Sequence, residues 1–406
     1  MGKIVIPIGP QHPALKEPAC FKITLTGEKV VKADVRLGYN HRGIEKACEE
    51  RSYLQSLYII ERICGICSHT HAVCYSQAVE EIAGVEIPKR AKYIRTIVGE
   101  LERIHSHLLW LGVAGHEIGF DTLFMYTWRD RELALDLLAQ VGGNRVNYGV
   151  NTIGGVRRDI NPEQVQDIKK NIDILEERTK YYIELALKET TLAARLGGVG
   201  RLSKEDALRF GAVGPVARAS GINRDVRKDD PYASYGEIPF DLITDDHADV
   251  FGRTVVRVLE LMESIKIVRY ALDNLPDGPL VTKVPRKIPV GEAVSRYEAP
   301  RGEDLHYVKS NGTDKPERVK VRAPSLANWA AISHMIEGDY LADVPIIIAA
   351  IDPCYSCTDR SVIINDLDNE KESVLDWPHL VEYSVNWYRK NRGINLNSIK
   401  LGREGR

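Results

Sequence analysis

The sequence predicts a mainly α protein with small β parts: a helical-bundle core, an N-terminal β-hairpin and a C-terminal α+β segment. Three observations carry that prediction. Between residues 41 and 280, apolar side chains recur mostly at three- and four-residue spacing. Strand signals are confined to the start of the chain and to stretches after residue 280. No internal repeat or low-complexity segment suggests a solenoid or a disordered region.

Taken in order, Lys3-Ile4-Val5-Ile6 alternates as a strand does, and Phe21–Leu25 and Val30–Val35 follow, joined by a turn at Thr26-Gly27-Glu28. Residues 45–62, 69–83 and 88–111 each read as a helix. Asn161-Pro162-Glu163 is a helix start, with Val165, Ile168, Ile172 and Leu175 on one face. From about Ala248 to Leu272, Val255, Val258, Leu259, Met262 and Ile265 form a buried stripe. These stripes read as core without chemistry. Residues 281–320 turn to strands and loops, rich in Pro, Gly and scattered charge. A short helix is expected after Trp329, then a buried strand, Pro345–Ile351, which delivers Asp352-Pro353-Cys354. Val362-Ile363-Ile364-Asn365 reads as a strand, and Leu380–Trp387 has helical spacing. The regions are thus a β region (1–40), a helical core (41–280), a strand and loop region (281–324), a segment carrying the second cysteine pair (325–360) and a tail (361–406).

Composition narrows the function. The chain has 406 residues, 44% hydrophobic and 28% charged, which suits one large core or two ordinary domains. A formal net charge of -2 gives no reason to expect a nucleic-acid partner. The run Val344–Ile351 is far shorter than the ~18 residues of a spanning helix. No signal-peptide pattern opens the sequence, so an intracellular chain is expected, with any membrane link made through partners. No G-x-G-x-x-G suggests a dinucleotide.

Seven cysteines, an odd number, argue against a disulfide framework. Four of them form two C-x-x-C pairs near opposite ends of the chain. One is Glu61-Arg62-Ile63-Cys64-Gly65-Ile66-Cys67-Ser68-His69-Thr70-His71, the other Asp352-Pro353-Cys354-Tyr355-Ser356-Cys357-Thr358-Asp359-Arg360. Two intervening residues let both sulfurs of a pair turn toward one metal. Zinc ribbons close their sites within about 15–20 residues, and these pairs are much farther apart. Spacing alone leaves structural zinc, a redox metal centre and unrelated pairs all open. A thioredoxin-like dithiol fits poorly, because neither pair sits in a βαβ pattern.

The context of both pairs resembles the signatures of NiFe hydrogenase large subunits, R-x-C-G-x-C-x-x-x-H and D-P-C-x-x-C-x-x-[HR]. That resemblance implies Cys64 and Cys354 as terminal thiolates on nickel. It implies Cys67 and Cys357 as bridges to an iron that holds CO and cyanide. His71 would donate a hydrogen bond to a bridging sulfur. Taken alone, it would read as an ordinary histidine on a helix surface.

The similarity continues outside the cysteines. Gly9-Pro10-Gln11-His12-Pro13-Ala14, Gly214-Pro215-Val216-Ala217-Arg218-Ala219-Ser220-Gly221 and Arg224-Asp225-Val226-Arg227 resemble the complex I subunit that borders the quinone pocket. The energy-converting membrane hydrogenases share these features and keep the four cysteines. His41-Arg42-Gly43-Ile44-Glu45 is similar in both families. Glu17 stands where the resemblance implies a proton relay for H2 chemistry; by itself it reads as a surface residue before Pro18. Glu298-Ala299-Pro300-Arg301-Gly302-Glu303 resembles the loop that places an arginine, here Arg301, over the metals. Val321-Arg322-Ala323-Pro324-Ser325 resembles the segment that bonds an iron-bound cyanide, through Pro324 and Ser325. Ser325 also reads as a plain helix N-cap.

The resemblance implies a small subunit carrying a 4Fe-4S cluster, since Cys20, Cys48 and Cys74 are too scattered to hold one. It also implies complex I-like membrane subunits, ferredoxin or a related carrier as an indirect partner, and a place on the cytoplasmic side of the membrane. Two other readings stand beside it: a complex I-like or sulfur-reducing relative without H2 chemistry, and a structural zinc scaffold. The tail after Arg360 reads either as a permanent appendage or as a segment removed on maturation, with Gly402-Arg403-Glu404-Gly405-Arg406 expected to be disordered.

Overall fold

In the computed structural model, which describes residues 2–360, 362–366, 371–375 and 377–393, β structure opens the chain as expected. Strands β1 (Lys3–Ile8), β2 (Cys20–Thr26) and β3 (Lys29–Arg36) form an antiparallel sheet in that order. The expected hairpin is β2 with β3. Phe21, Ile23 and Leu25, two residues apart, turn into the core together.

The stretch 45–62 forms two helices, not one: α1 (Ile44–Glu49) and α2 (Tyr53–Glu61). Ser52 interrupts it. Its hydroxyl accepts from the Gln55 N–H at 3.3 Å, and the Gln55 side chain accepts from the Ser52 N–H at 3.1 Å. This reciprocal cap starts a new helix. Helices α3 (Ser68–Ala83), α4 (Lys89–Glu117) and α5 (Asp121–Gly142) follow, α4 running six residues past the expected end. A small ladder of β4 (Asn151–Thr152) and β5 (Gly155–Val156) precedes α6 (Pro162–Lys188), where Asn161 accepts from the Gln164 N–H at 2.8 Å. Short helices α7 (Thr190–Leu196), α8 (Lys204–Phe210), α9 (Pro215–Arg218) and α10 (Val226–Asp229) lead to α11 (Val250–Asp273). Helix α4 packs between α5 and α11, and α11 packs on α6.

The stripe of α11 needs correction. Val255, Val258 and Ile265 are buried, but Leu259 and Met262 are only half-buried. Arg253, Arg257 and Glu260 are buried in the same helix. Its interior face therefore carries charge as well as aliphatic bulk.

Strands β6 (Gly291–Ala299), β7 (Gly302–Ser310) and β8 (Pro316–Arg322) form an antiparallel meander packed on α3. Helix α12 (Pro324–Ile336) already contains Trp329 instead of starting after it. The apolar run 345–351 is not a strand. After a turn of 3-10 helix at Leu341–Asp343 it forms α13 (Val344–Ala350), with Pro345 in the first turn, where proline's missing N–H costs nothing. A short run buried on every side lacks the periodicity that separates helix from strand. Helix α14 (Tyr355–Thr358), strands β9 (Val362–Asp366) and β10 (Lys371–Leu375) and helix α15 (Trp377–Arg392) complete the chain. The disorder expected for residues 402–406 lies outside the described residues. Among the described residues, no helix is long and apolar enough to cross a membrane.

The buried apolar residues form two clusters. The larger gathers the helical bundle. The smaller joins α2, α3 and the meander to the two cysteine pairs.

Candidate metal centre

Two glutamates from distant parts of the chain hold the two cysteine segments. Cys64 and Cys67 lie between α2 and α3, with Cys67 immediately before α3. Cys67 offers no side-chain cap, so the free N–H groups of α3 turn to Glu102 of α4. Glu102 accepts from the His69 N–H at 2.7 Å, the Thr70 N–H at 3.0 Å and the Thr70 hydroxyl at 2.6 Å. Cys354 stands just before α14. There Glu17 accepts from the N–H groups of Tyr355 at 2.6 Å and Ser356 at 3.2 Å, and from the Ser356 hydroxyl at 2.5 Å. Ser325 does not cap α12, whose N-cap is Ala323. Its oxygen accepts from the Cys354 N–H at 3.0 Å instead. Pro324 opens α12 and so sets where Ser325 lies.

The four sulfurs of the two pairs converge. Cys354 Sγ lies 2.7 Å from Cys357 Sγ and 3.4 Å from Cys64 Sγ, and Cys67 Sγ lies 3.9 Å from Cys357 Sγ. All four cysteines are buried, and none is in a disulfide. Metal–sulfur bonds of about 2.3 Å place two sulfurs on one ion at most about 4.6 Å apart, so these separations suit shared metal binding. An all-thiolate donor set belongs to soft or borderline metals. The residues fit a nickel and iron centre. The thiol of Cys354, and then that of Cys357, donates toward Cys64 and holds it well below the ordinary thiol range. Burial pushes Cys357 well up.

Three further side chains surround the sulfurs. Arg301 is buried and donates to the Asp352 carbonyl and carboxylate, both at 2.8 Å, and to the Ser106 hydroxyl at 3.3 Å. Asp352 takes a left-handed backbone conformation, φ 52°, which is uncommon for a residue with a side chain. His71 is fully buried, not on a helix surface, and its Nε2 lies 3.4 Å from Cys357 Sγ. Glu17 is half-buried and shares a cavity of about 370 Å³ with Cys64, Cys354, Arg301 and Glu117. A second cavity, about 720 Å³, reaches Cys357 from the side of Arg42 and Arg360.

The Gly214 and Arg227 motifs act at one remove. A side-chain carbon on Gly214 would meet the Gly302 Cα at 2.3 Å and the Arg301 carbonyl at 2.5 Å. Only a glycine lets the Arg301 turn sit this close. Arg218 pairs with Glu260 at 2.7 Å and with Glu298 at 2.8 Å, and Arg227 pairs with Asp225 at 2.7 Å. These buried pairs anchor the end of β6, from which the Arg301 turn springs.

Sequence reasoning missed Glu102, Ser106, Asp304 and His306. The last two were findable, because residues two apart on one strand share a face. On β7 that face is the buried one, while Leu305 between them is half-exposed.

The comparisons with known proteins follow the same lines. The family model "Respiratory-chain NADH dehydrogenase, 49 Kd subunit" matches residues 117–287 and 283–360. The model "Nickel-dependent hydrogenase" matches residues 42–112, which hold the first cysteine pair. The chain is 45% identical to the membrane-bound hydrogenase subunit alpha of Pyrococcus furiosus over 97% of its own length and 95% of that protein. It is 41% identical to the carbon monoxide-induced hydrogenase of Rhodospirillum rubrum, over 89% of this chain and all of that one, 100%. Among solved structures, a chain of the archaeal membrane-bound sulfane sulfur reductase complex superposes with a TM-score of 0.85 at 34% identity, covering 88% of this chain and 98% of that one. With its two cysteine motifs brought together in this fold, the chain belongs to the family of large subunits of energy-converting, membrane-bound NiFe hydrogenases, related to the 49 kDa subunit of the respiratory NADH dehydrogenase.

Proposed function

We propose that Cys64 and Cys354 hold nickel as terminal thiolates, that Cys67 and Cys357 bridge it to iron, and that this chain thereby splits or forms H2. The observation that carries the proposal is the convergence of four buried thiols from opposite ends of the chain. When bound, the metals supply a redox site for H2, with iron carrying CO and cyanide. The protein supplies the rest. Glu17, fixed by three donors and open to the cavity beside Cys64 and Cys354, takes up and releases the proton. Arg301 is locked by Asp352 and presents a fixed cation to the centre. His71 donates to the Cys357 sulfur. Ser325 accepts from Cys354, which leaves its own O–H free to donate to a cyanide, with Pro324 beside it.

Electrons leave one at a time, so a partner must take them. We assign that role to a small subunit with a 4Fe-4S cluster, which links the chain to ferredoxin or a related carrier. Relatives named as subunits of membrane complexes support complex I-like membrane partners and a peripheral position, to which we assign the cytoplasmic side. Metal analysis combined with infrared spectroscopy tests the proposal. Nickel with iron and bound CO and cyanide are expected. Zinc alone would favour a scaffold. Thiols without nickel would favour the sulfur-reducing or complex I-like alternative, toward which the sulfane sulfur reductase neighbour leans.

A further inference from the structure

Behind His71 lies a second buried cluster that the proposed function does not use. His71 Nδ1 lies 3.0 Å from Asp304 Oδ2 and 3.1 Å from His306 Nε2. His306 Nε2 lies 3.1 Å from the same Asp304 oxygen. All three side chains are fully buried, at 0% exposure. Asp304 and His306 are two apart on β7 and face α3, which carries His71.

The well-aligned hydrogen bond of the cluster runs between His71 Nδ1 and His306 Nε2, and the Asp304 carboxylate faces both nitrogens at ion-pair distance without a well-aligned hydrogen bond to either. The imidazole of His71 is thereby held from behind, and its Nε2 is left facing Cys357. A plain structural role would be to tie α3 to β7. As a tie it is poorly made. Among the described residues, the Asp304 oxygens meet no lysine, arginine or backbone N–H, and His306 Nδ1 has no partner. Buried carboxylates kept for stability find such donors. A carboxylate behind an imidazole that faces a sulfur is instead how proteins orient the surroundings of a metal.

We propose that Asp304 and His306 are positioning residues that hold the His71 ring with its Nε2 against the Cys357 sulfur, tuning how strongly that sulfur binds a metal. The proposal rests on the reading of the four thiolates as the nickel and iron site. In the assembled holoenzyme, Asp304→Asn is expected to keep its nickel, shift the infrared bands of the iron ligands and lower turnover about 10- to 100-fold. His71→Phe should shift the bands similarly, and adding Asp304→Asn to it should move them no further. His306→Gln keeps a donor toward Asp304 and should retain wild-type bands, whereas His306→Phe should shift them. Unmoved bands in Asp304→Asn, or shifts that add to those of His71→Phe, overturn the proposal. Wild-type enzyme without nickel would defeat the metal reading instead. Positioning is then judged from the ring-nitrogen NMR shifts of His71: it stands if Asp304→Asn moves them and falls if it does not.

Discussion

Glu17 accepts a hydrogen bond from the Tyr355 N–H at 2.6 Å, across 338 positions of sequence. One carboxylate thus both caps the cysteine-bearing helix α14 and lines the cavity beside the sulfurs. Glu17→Gln keeps the size and one accepting oxygen but cannot relay a proton. Nickel content should survive while H2 turnover falls by about 10²–10⁴. Metal analysis beside an H2 assay separates the two effects, and near-normal turnover would move the relay to another group.

Arg301 and Asp352 form a buried pair with two donor–acceptor contacts. Arg301→Met strands a buried carboxylate and should cost roughly 3–5 kcal/mol of stability. Arg301→Lys keeps the charge, so it should lose less stability, yet turnover should fall because the planar fork is gone. Denaturant unfolding of both variants checks this; equal losses would show that charge pairing is not what Arg301 provides.

Burial pushes the Glu102 carboxyl up to about 8. Its folded value lies above the ordinary carboxylate range, so the folded state binds more protons over that interval. The stability tied to this group is complete below about pH 4.3 and is lost as pH rises through about 8. The loss amounts to a few kcal/mol. Melting temperatures measured across this range should decline in the wild type and flatten in Glu102→Gln. Parallel curves would refute the assignment.

Ser325→Ala leaves the buried Cys354 N–H without its acceptor and should cost about 1–3 kcal/mol. Ser325→Thr restores the oxygen. If the hydroxyl also donates to a cyanide, the alanine variant alone shifts an infrared band, and unchanged bands confine Ser325 to holding the backbone.

Arg360 donates to the carbonyls of Cys357 at 3.2 Å, Asp359 at 3.0 Å and Val321, and faces Glu45 at 3.5 Å. None of these partners lies beyond Arg360. A chain ending there should keep its thiolate cluster and load nickel when expressed with the maturation machinery. Mass spectrometry of the active enzyme then settles the native end: a terminus at Arg360 supports trimming, and an active chain retaining Arg406 excludes obligatory cleavage.

Much of this was legible beforehand. The cysteine pairs, Glu17 and Arg301 sit in motifs that resemble those of NiFe hydrogenases, and that resemblance, not spacing alone, pointed to them, while α3, α6 and α11 stand where the apolar repeats placed helices. What escaped has physical causes. The break at Ser52 depends on a local cap that outweighs a continuous apolar pattern. The run 345–351 is buried all round, so its period says nothing. Asp304, His306 and Glu102 are polar groups on interior faces, where pattern reading expects aliphatic residues. Their burial is explained only by partners from distant segments.

The separation of the two cysteine pairs also orders events in time. Cys67 and Cys357 stand 290 positions apart. At about 5–20 residues per second, a ribosome needs roughly 15–60 s to travel from one to the other. Throughout that interval the first pair exists without the second, and its thiols are exposed to whatever ions the cell holds. A centre that needs all four thiols can therefore be completed only after nearly the whole body of the chain has been made.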